Sequence, residues 1–406
     1  MDKLDYLLRT SRGNYDRHMD RFSRRIRFTI NQETYSKDSM LPREKLRFQQ
    51  KFSDLMHAQK RRAFRGNVVL QMDFYPSKGN PPSIHKLPKN YLDLLWRPVE
   101  GLLNPNLPLK DDRQISILIV NYHVQKANKE PRIEIEMAPL RDFYDDLHLY
   151  DRINSYDFPG DEENPRYDLE NVIQEEDYPR LLDQSIVRLD ELKDLEDFVD
   201  LLEVYQSLRN IYLFNYQSAF FGIEKIKTSE LIVLLLKNKP GHGLIAQFLS
   251  ENRKLIISHS FSPLKAIGLP TRRGETDNFK DTVRRMITEF KERYPSLFPL
   301  RVNLNLTILY VPPSRQEMDL DNLAMNIVPY LNEALKPPAG HWFHDYQRPR
   351  GFPAHTIIQY QIIKIPRDHN DPEDGTVRLI LGKYEPYKNC WKDVERTIDL
   401  WSNEVF

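Results

Sequence analysis

Two stretches of this chain present the same order of apolar patterns, and any fold it adopts must house that order twice. In the first stretch, Ile26, Phe28 and Ile30 alternate with Arg25, Arg27 and Thr29, the period of a half-buried strand. A polar loop over 34–39 leads to a helix from Pro42 with Phe48, Phe52, Leu55 and Met56 on one face. Val68, Leu70, Met72 and Phe74 predict the next strand, 89–96 a helix ending near Pro98, and 117–120 and 133–137 two further strands. The second stretch replays this. A strand over 254–258 is followed by a polar loop at 271–274 and a helical stripe of Phe279, Val283, Met286, Ile287 and Phe290. Then come a strand from Val302 to Tyr310, a helix through Leu323, Ile327, Leu331 and Ala334 with Pro329 inside it, and strands over 356–365 and 377–381. Asn90 and Asn322 head corresponding helices, about 230 residues apart. The expected fold class is α/β with mixed sheets, built as a tandem duplication over 24–140 and 253–385.

The remaining segments differ from the repeats in charge. From Met1 to Leu70 there are 17 Lys/Arg against 8 Asp/Glu, whereas from Arg141 to Glu203 there are 6 against 21. Residues 1–23 therefore read as a basic lead-in with little core potential, 141–252 as an insert, and 386–406 as a C-terminal tail. Within the insert, 141–183 reads as an acidic loop, and 189–221 and 231–249 as helices. The acidic run suits a solvated linker; its alternative is an arm that lies over a basic face and competes with nucleic acid. A single cysteine, Cys390, excludes a disulfide framework and any zinc finger. The most apolar run, 231–236, is too short to cross a bilayer, and the N-terminus lacks the apolar core of a signal peptide. The expected location is the cytoplasm, in a prokaryotic or phage setting.

Chemistry concentrates at Asp319, Asp321 and Asn322, where a strand hands over to a helix. Short acidic side chains at such a junction can converge on a divalent cation. They can equally cap the helix, accepting backbone N–H bonds worth about 1 kcal/mol. Both roles stay open from these residues alone.

In this order and spacing the chain resembles the RusA family of Holliday junction resolvases. That family's pattern is Asp-x-Asp-Asn-x-x-Lys opening a helix, then Asp-Asp-x-Gln-Ile opening a strand. In the second copy Asp319, Asp321 and Asn322 match the first motif, and Asp345 and Gln347 the second, with His344 at the leading acid. In the first copy Asp111, Asp112, Gln114 and Ile115 match the second motif, but the first is reduced to Asn90, with Leu87 and Lys89 where the acids belong. The resemblance covers most of both repeats and implies an intramolecular pseudo-dimer, alone or in a higher oligomer. It implies an acid-complete site of Asp319, Asp321, Asn322 and Asp345, and a degenerate one at Asn90, Asp111 and Asp112. Asp319, Asp321 and Asp345 would ligate Mg²⁺, or Mn²⁺ in its place, for phosphodiester hydrolysis in branched DNA. The motif lysine is missing: its position is Met325 in the second copy and Asp93 in the first.

Candidate phosphate-neutralising residues are Lys265, Arg272 and Arg273 in the second copy, and Arg43, Lys45, Lys60, Arg61, Arg62 and Arg65 in the first, the last four placed on a helix. His341, Trp342 and His344 suit loop packing. Two functions remain in competition: a Mg²⁺-dependent endonuclease for branched DNA, and a nuclease-derived scaffold that binds DNA or, through the insert, a protein partner without cutting.

Overall fold

The computed structural model describes residues 6, 10–77, 81–123, 129–154, 267–270, 276–293, 298, 303–335, 357–367, 372–384 and 389–406, with isolated positions at 191, 204 and 235. Within them lie helices α1 (Ser11–Ser23), α2 (Pro42–Ala58), α3 (Lys86–Trp96), α4 (Leu140–Asn154), α5 (Thr276–Arg293), α6 (Leu320–Leu335) and α7 (Cys390–Val405). The strands are β1 (Ile26–Ile30), β2 (Val68–Tyr75), β3 (Ile115–Tyr122), β4 (Arg132–Pro139), β5 (Ile267–Gly268), β6 (Leu304–Val311), β7 (Ile357–Lys364) and β8 (Thr376–Lys383).

The eight strands form one mixed sheet in the order β1-β4-β2-β3-β7-β6-β8-β5. β2 runs parallel to β3, and β6 parallel to β7; the other pairings are antiparallel. β3 and β7 meet antiparallel in the centre, Ile119 opposite Gln361, and join the halves. Both parallel pairs carry a register irregularity at the same place, between Val68 and Val69 and between Leu304 and Asn305. Outward from the centre, each half has the same connectivity.

Burial explains the strand sequences. β2, β3 and β6 are buried at every position, as parallel strands covered on both faces must be. One face carries α2, α3, α5 and α6, whose Phe52, Leu95, Val283 and Leu323 pack on Leu70, Leu118, Leu306 and Tyr360. On the other face α4 and α7 bring Phe143, Leu147, Trp391 and Ile398 onto Ile117, Ile119, Leu309 and Ile363.

Several boundaries move. Residues 11–23 of the expected lead-in form α1, which buries His18 and Arg21 against Asp146 of α4; Arg21 Nε donates to Asp146 Oδ1 at 2.8 Å. The start of the expected acidic loop is α4, because Phe143 and Leu147 recur at helical spacing within the charge. The expected tail is α7, with Trp391, Val394 and Ile398 in the core and Asn389 capping it through bonds from the Trp391 and Lys392 amides. Residues 61–65 lie beyond the end of α2 and are not helical. The strand expected at 254–258 and the insert's other helices lie outside the described residues, apart from positions 191, 204 and 235. Among the described residues, no helix is long and apolar enough to cross a membrane.

Candidate active site

The sheet order dictates which loops meet. β3 and β7 are antiparallel while β6 and β7 are parallel, so the N-terminal end of β3 lies at the same end of the sheet as the C-terminal end of β6. The first carries Asp111 and Asp112; the second leads into α6 with Asp319 and Asp321. A site at this end therefore draws on both halves of the chain.

The α6 side is held by its turn. The Tyr310 hydroxyl accepts from the Met318 amide at 3.0 Å, and the Ser314 amide donates to the Glu373 carbonyl at 2.9 Å. Gly375 closes the neighbouring loop at φ +72°, where a Cβ would come within 2.7 Å of Pro313 N. The Asp319 carbonyl accepts the Leu323 amide at 3.1 Å, and its carboxylate accepts from Asn322 Nδ2 at 3.0 Å. Asp319 thus occupies the cap position. Asp321, one position inside the helix, is only 1% exposed.

The β3 side is pinned by Gln114. Its Oε1 accepts the Lys110 amide at 2.7 Å, and its Nε2 donates to the carbonyls of Phe64 and Gly66, both at 2.9 Å. Asp111 accepts the Arg113 amide at 2.8 Å. That bond, working against burial, holds the Asp111 carboxyl below the usual range. Arg113 reaches across the halves, its Nε 4.0 Å from Asp319 Oδ1.

A third contribution comes from α3. Lys89 Nζ lies 2.8 Å from Asp321 Oδ2 and donates to Asn322 Oδ1 at 3.3 Å. Burial pulls the Lys89 ammonium down, but the hydrogen bond and charge of Asp321, with the charges of Asp93 and Asp319, outweigh it and hold it above the usual lysine range.

Four carboxylates thus share one end of the sheet with two cations, and the imbalance registers in their acidities. Burial, the bond to Asp111 and the charges of Asp319, Asp321 and Asp111 push Asp112 up to about 6. Burial and then Asp321 raise Asp319, with Lys89 and Arg113 opposing. Among the described residues, the buried Asp321 Oδ1 has no hydrogen-bond partner, nor does the Tyr360 hydroxyl, which the Asp321 charge raises beyond the effect of burial. Unpaired buried oxygens beside clustered carboxylates are the polarity a hard divalent cation satisfies, and the donor set suits Mg²⁺. Among the described residues, however, no three such groups are drawn together tightly enough to form a preassembled metal cage.

Of the expected site, Asp319, Asp321 and Asn322 come together, while Asp345 and His344 lie outside the described residues. Asp111 and Asp112, expected in a separate degenerate site, instead lie within the field of Asp319 and Asp321, because sheet order pairs the N-terminal end of β3 with the C-terminal end of β6. Asn90 stays apart: it is buried and donates to the Tyr35 carbonyl at 3.3 Å and to Met40 Sδ at 2.9 Å. Lys265, Arg272 and Arg273 lie outside the described residues. Lys60, Arg62 and Arg65 are exposed, and Arg65 directly precedes Gly66, whose carbonyl Gln114 holds. Arg61 is tied to the Ser23 carbonyl at 3.1 Å, Lys45 to the Lys37 carbonyl at 3.4 Å, and Arg43 is exposed in the first turn of α2. Lys89 and Arg113 were not among the expected site residues; the available signal was the opposite charge of Lys89 at a position where the motif has an acid.

No family model, curated protein or solved structure matches the chain.

Proposed function

We propose that the chain is a tandem of two RusA-like units folded as an intramolecular pseudo-dimer, and that it hydrolyses phosphodiesters in branched DNA with Mg²⁺. The observation that carries this is the buried, unpaired Asp321 Oδ1 beside the raised Asp112, carboxylates contributed by opposite halves of one sheet. Asp319, Asp321 and Asp112 would hold the cation, which supplies an activated water and charge neutralisation at the phosphate. Asn322 orients Asp319, Gln114 fixes the Asp111–Asp112 turn, and Arg113, which reaches Asp319, would with the exposed Arg65 neutralise the phosphate backbone.

A second reading is a DNA-binding scaffold that does not cut. The uncharged Met325 at the motif lysine position favours it. Incubation of labelled four-way junction, flap and duplex DNA with Mg²⁺ or Mn²⁺ separates the two. Cutting of a branched form is expected, with Asp321→Asn and Asp112→Asn each lowering the rate by at least about 100-fold, the scale of losing a group that stabilises transition-state charge. Tight binding without incision, or incision untouched by both substitutions, would refute the nuclease and its site.

A further inference from the structure

We propose that Lys89 is the phosphate-contacting cation of the Asp319–Asp321 site, supplied from the opposite half of the chain. This rests on the nuclease reading above. An ammonium has three donors. Two of those on Lys89 are engaged, by Asp321 Oδ2 at 2.8 Å and Asn322 Oδ1 at 3.3 Å. Among the described residues the third meets no partner, and the side chain keeps 28% exposure, so the head is anchored among the acids yet open to a ligand from solvent. α3 presents no other base here: Lys86 is exposed one turn earlier, and Asp93, one turn later, is bound by Lys37 at 2.5 Å.

The local geometry explains why this lysine and not its neighbours faces the acids. Leu87 is fully buried in the apolar core, and Asn90 is turned inward onto Tyr35 and Met40. Lys89 lies between these two positions on the flank of α3 that packs against α6. A positive charge there does two things. It compensates the buried Asp321 carboxylate, and it stands beside the group that gains negative charge as a phosphodiester is attacked. In the repeat pattern Lys89 occupies the position of Asp321, so one substitution of sign removes an acid from its own half and gives a cation to the other.

The test compares wild type, Lys89→Met and Lys89→Arg on the branched DNA that the wild type cuts best, with steady-state kinetics, Mn²⁺ binding without DNA, and thermal melting on the same preparations. Lys89→Met should lower kcat by about 100-fold or more with KM changed less than about threefold, because the lost contact acts on developing charge. Lys89→Arg should stay within about tenfold of wild type, since the charge survives with altered geometry. Mn²⁺ should bind Lys89→Met as tightly as wild type or more tightly, showing that the acids remain in place without the lysine. Three results overturn the proposal while leaving the nuclease intact: kcat of Lys89→Met within threefold of wild type, a loss confined to KM, or a loss of Mn²⁺ binding that tracks a loss of melting temperature. A wild type that cuts no branched DNA overturns both.

Discussion

Glu136 shows how much one buried side chain can govern in this molecule. Burial alone would raise its carboxyl, but Lys392, Arg25 and Arg27 outweigh that and bring it down to about 2. Lys392 Nζ lies 2.7 Å away, Arg25 NH1 3.1 Å and Arg27 Nε 3.0 Å, while Arg25 also pairs with Glu395 and stacks over Trp391. A carboxylate held below its ordinary range contributes stability above that range and loses it as pH falls toward the folded value. The contribution of Glu136 is on the order of 3 kcal/mol, complete at neutral pH and lost between about 4.5 and 2. Glu136→Gln should therefore be markedly less stable than wild type in urea at pH 7 and much closer to it at pH 3. An equal gap at both values would show that the ion pairs are not what holds this carboxylate.

At the scale of elements, the two halves are joined by more than the β3·β7 ladder. A buried polar chain crosses the sheet beneath α7. Gln71 Nε2 and Asn121 Nδ2 donate to Asp73 at 2.6 and 2.8 Å, and Gln359 Nε2 donates to Asn121 Oδ1 at 2.6 Å. Asn305 Nδ2 donates to Gln359 Oε1 at 2.7 Å, and Gln361 Nε2 to Thr307 Oγ1 at 2.7 Å. Asn389, the cap of α7, closes the path by donating to Gln71 Oε1 at 3.1 Å. Side chains of such fixed directionality specify one pairing of β3 with β7, which apolar contacts alone leave open to slippage. Gln359→Leu would strand Asn121 Oδ1 and Asn305 Nδ2 together, at about 1–3 kcal/mol each. A loss of about 2–6 kcal/mol in equilibrium unfolding is expected; a loss below about 0.5 kcal/mol would mean that the network does not fix the junction.

The whole molecule has two ends of the central sheet related by its matched strand order, and among the described residues they are chemically unequal. One gathers Asp111, Asp112, Asp319 and Asp321. At the other end, α3 presents a buried Leu87, an inward-facing Asn90 and a Lys89 committed to the first end. If the proposed nuclease is correct, one molecule should make one incision. A four-way junction labelled in turn on each strand should yield nicked product, with no paired cuts within a single binding event. Paired incisions on opposing strands would show that the second end also works.

Most strand and helix positions among the described residues were readable from the chain, the strand expected at 254–258 lying outside them, because period-2 and period-3.6 apolar patterns are local properties, set by whether Leu306 or Leu323 must face a core. The same locality made Asp319, Asp321 and Asn322 visible as a group, since four consecutive residues suffice to place them at one helix start. The α1, α4 and α7 helices were harder, because they lie in charged stretches outside the two matching patterns, and part of their packing is carried by buried charge such as Arg21 with Asp146. What only the tertiary structure decided is which acids keep company. Asp112 and Asp319 are 207 positions apart, and nothing local couples them. Their meeting follows from β3 pairing antiparallel with β7 while β6 runs parallel to it, a choice of sheet order that no stretch of sequence expresses by itself. The role of Lys89 was hidden for the same reason: a charge of the wrong sign in its own half becomes a partner for Asp321 only when α3 and α6 are packed side by side.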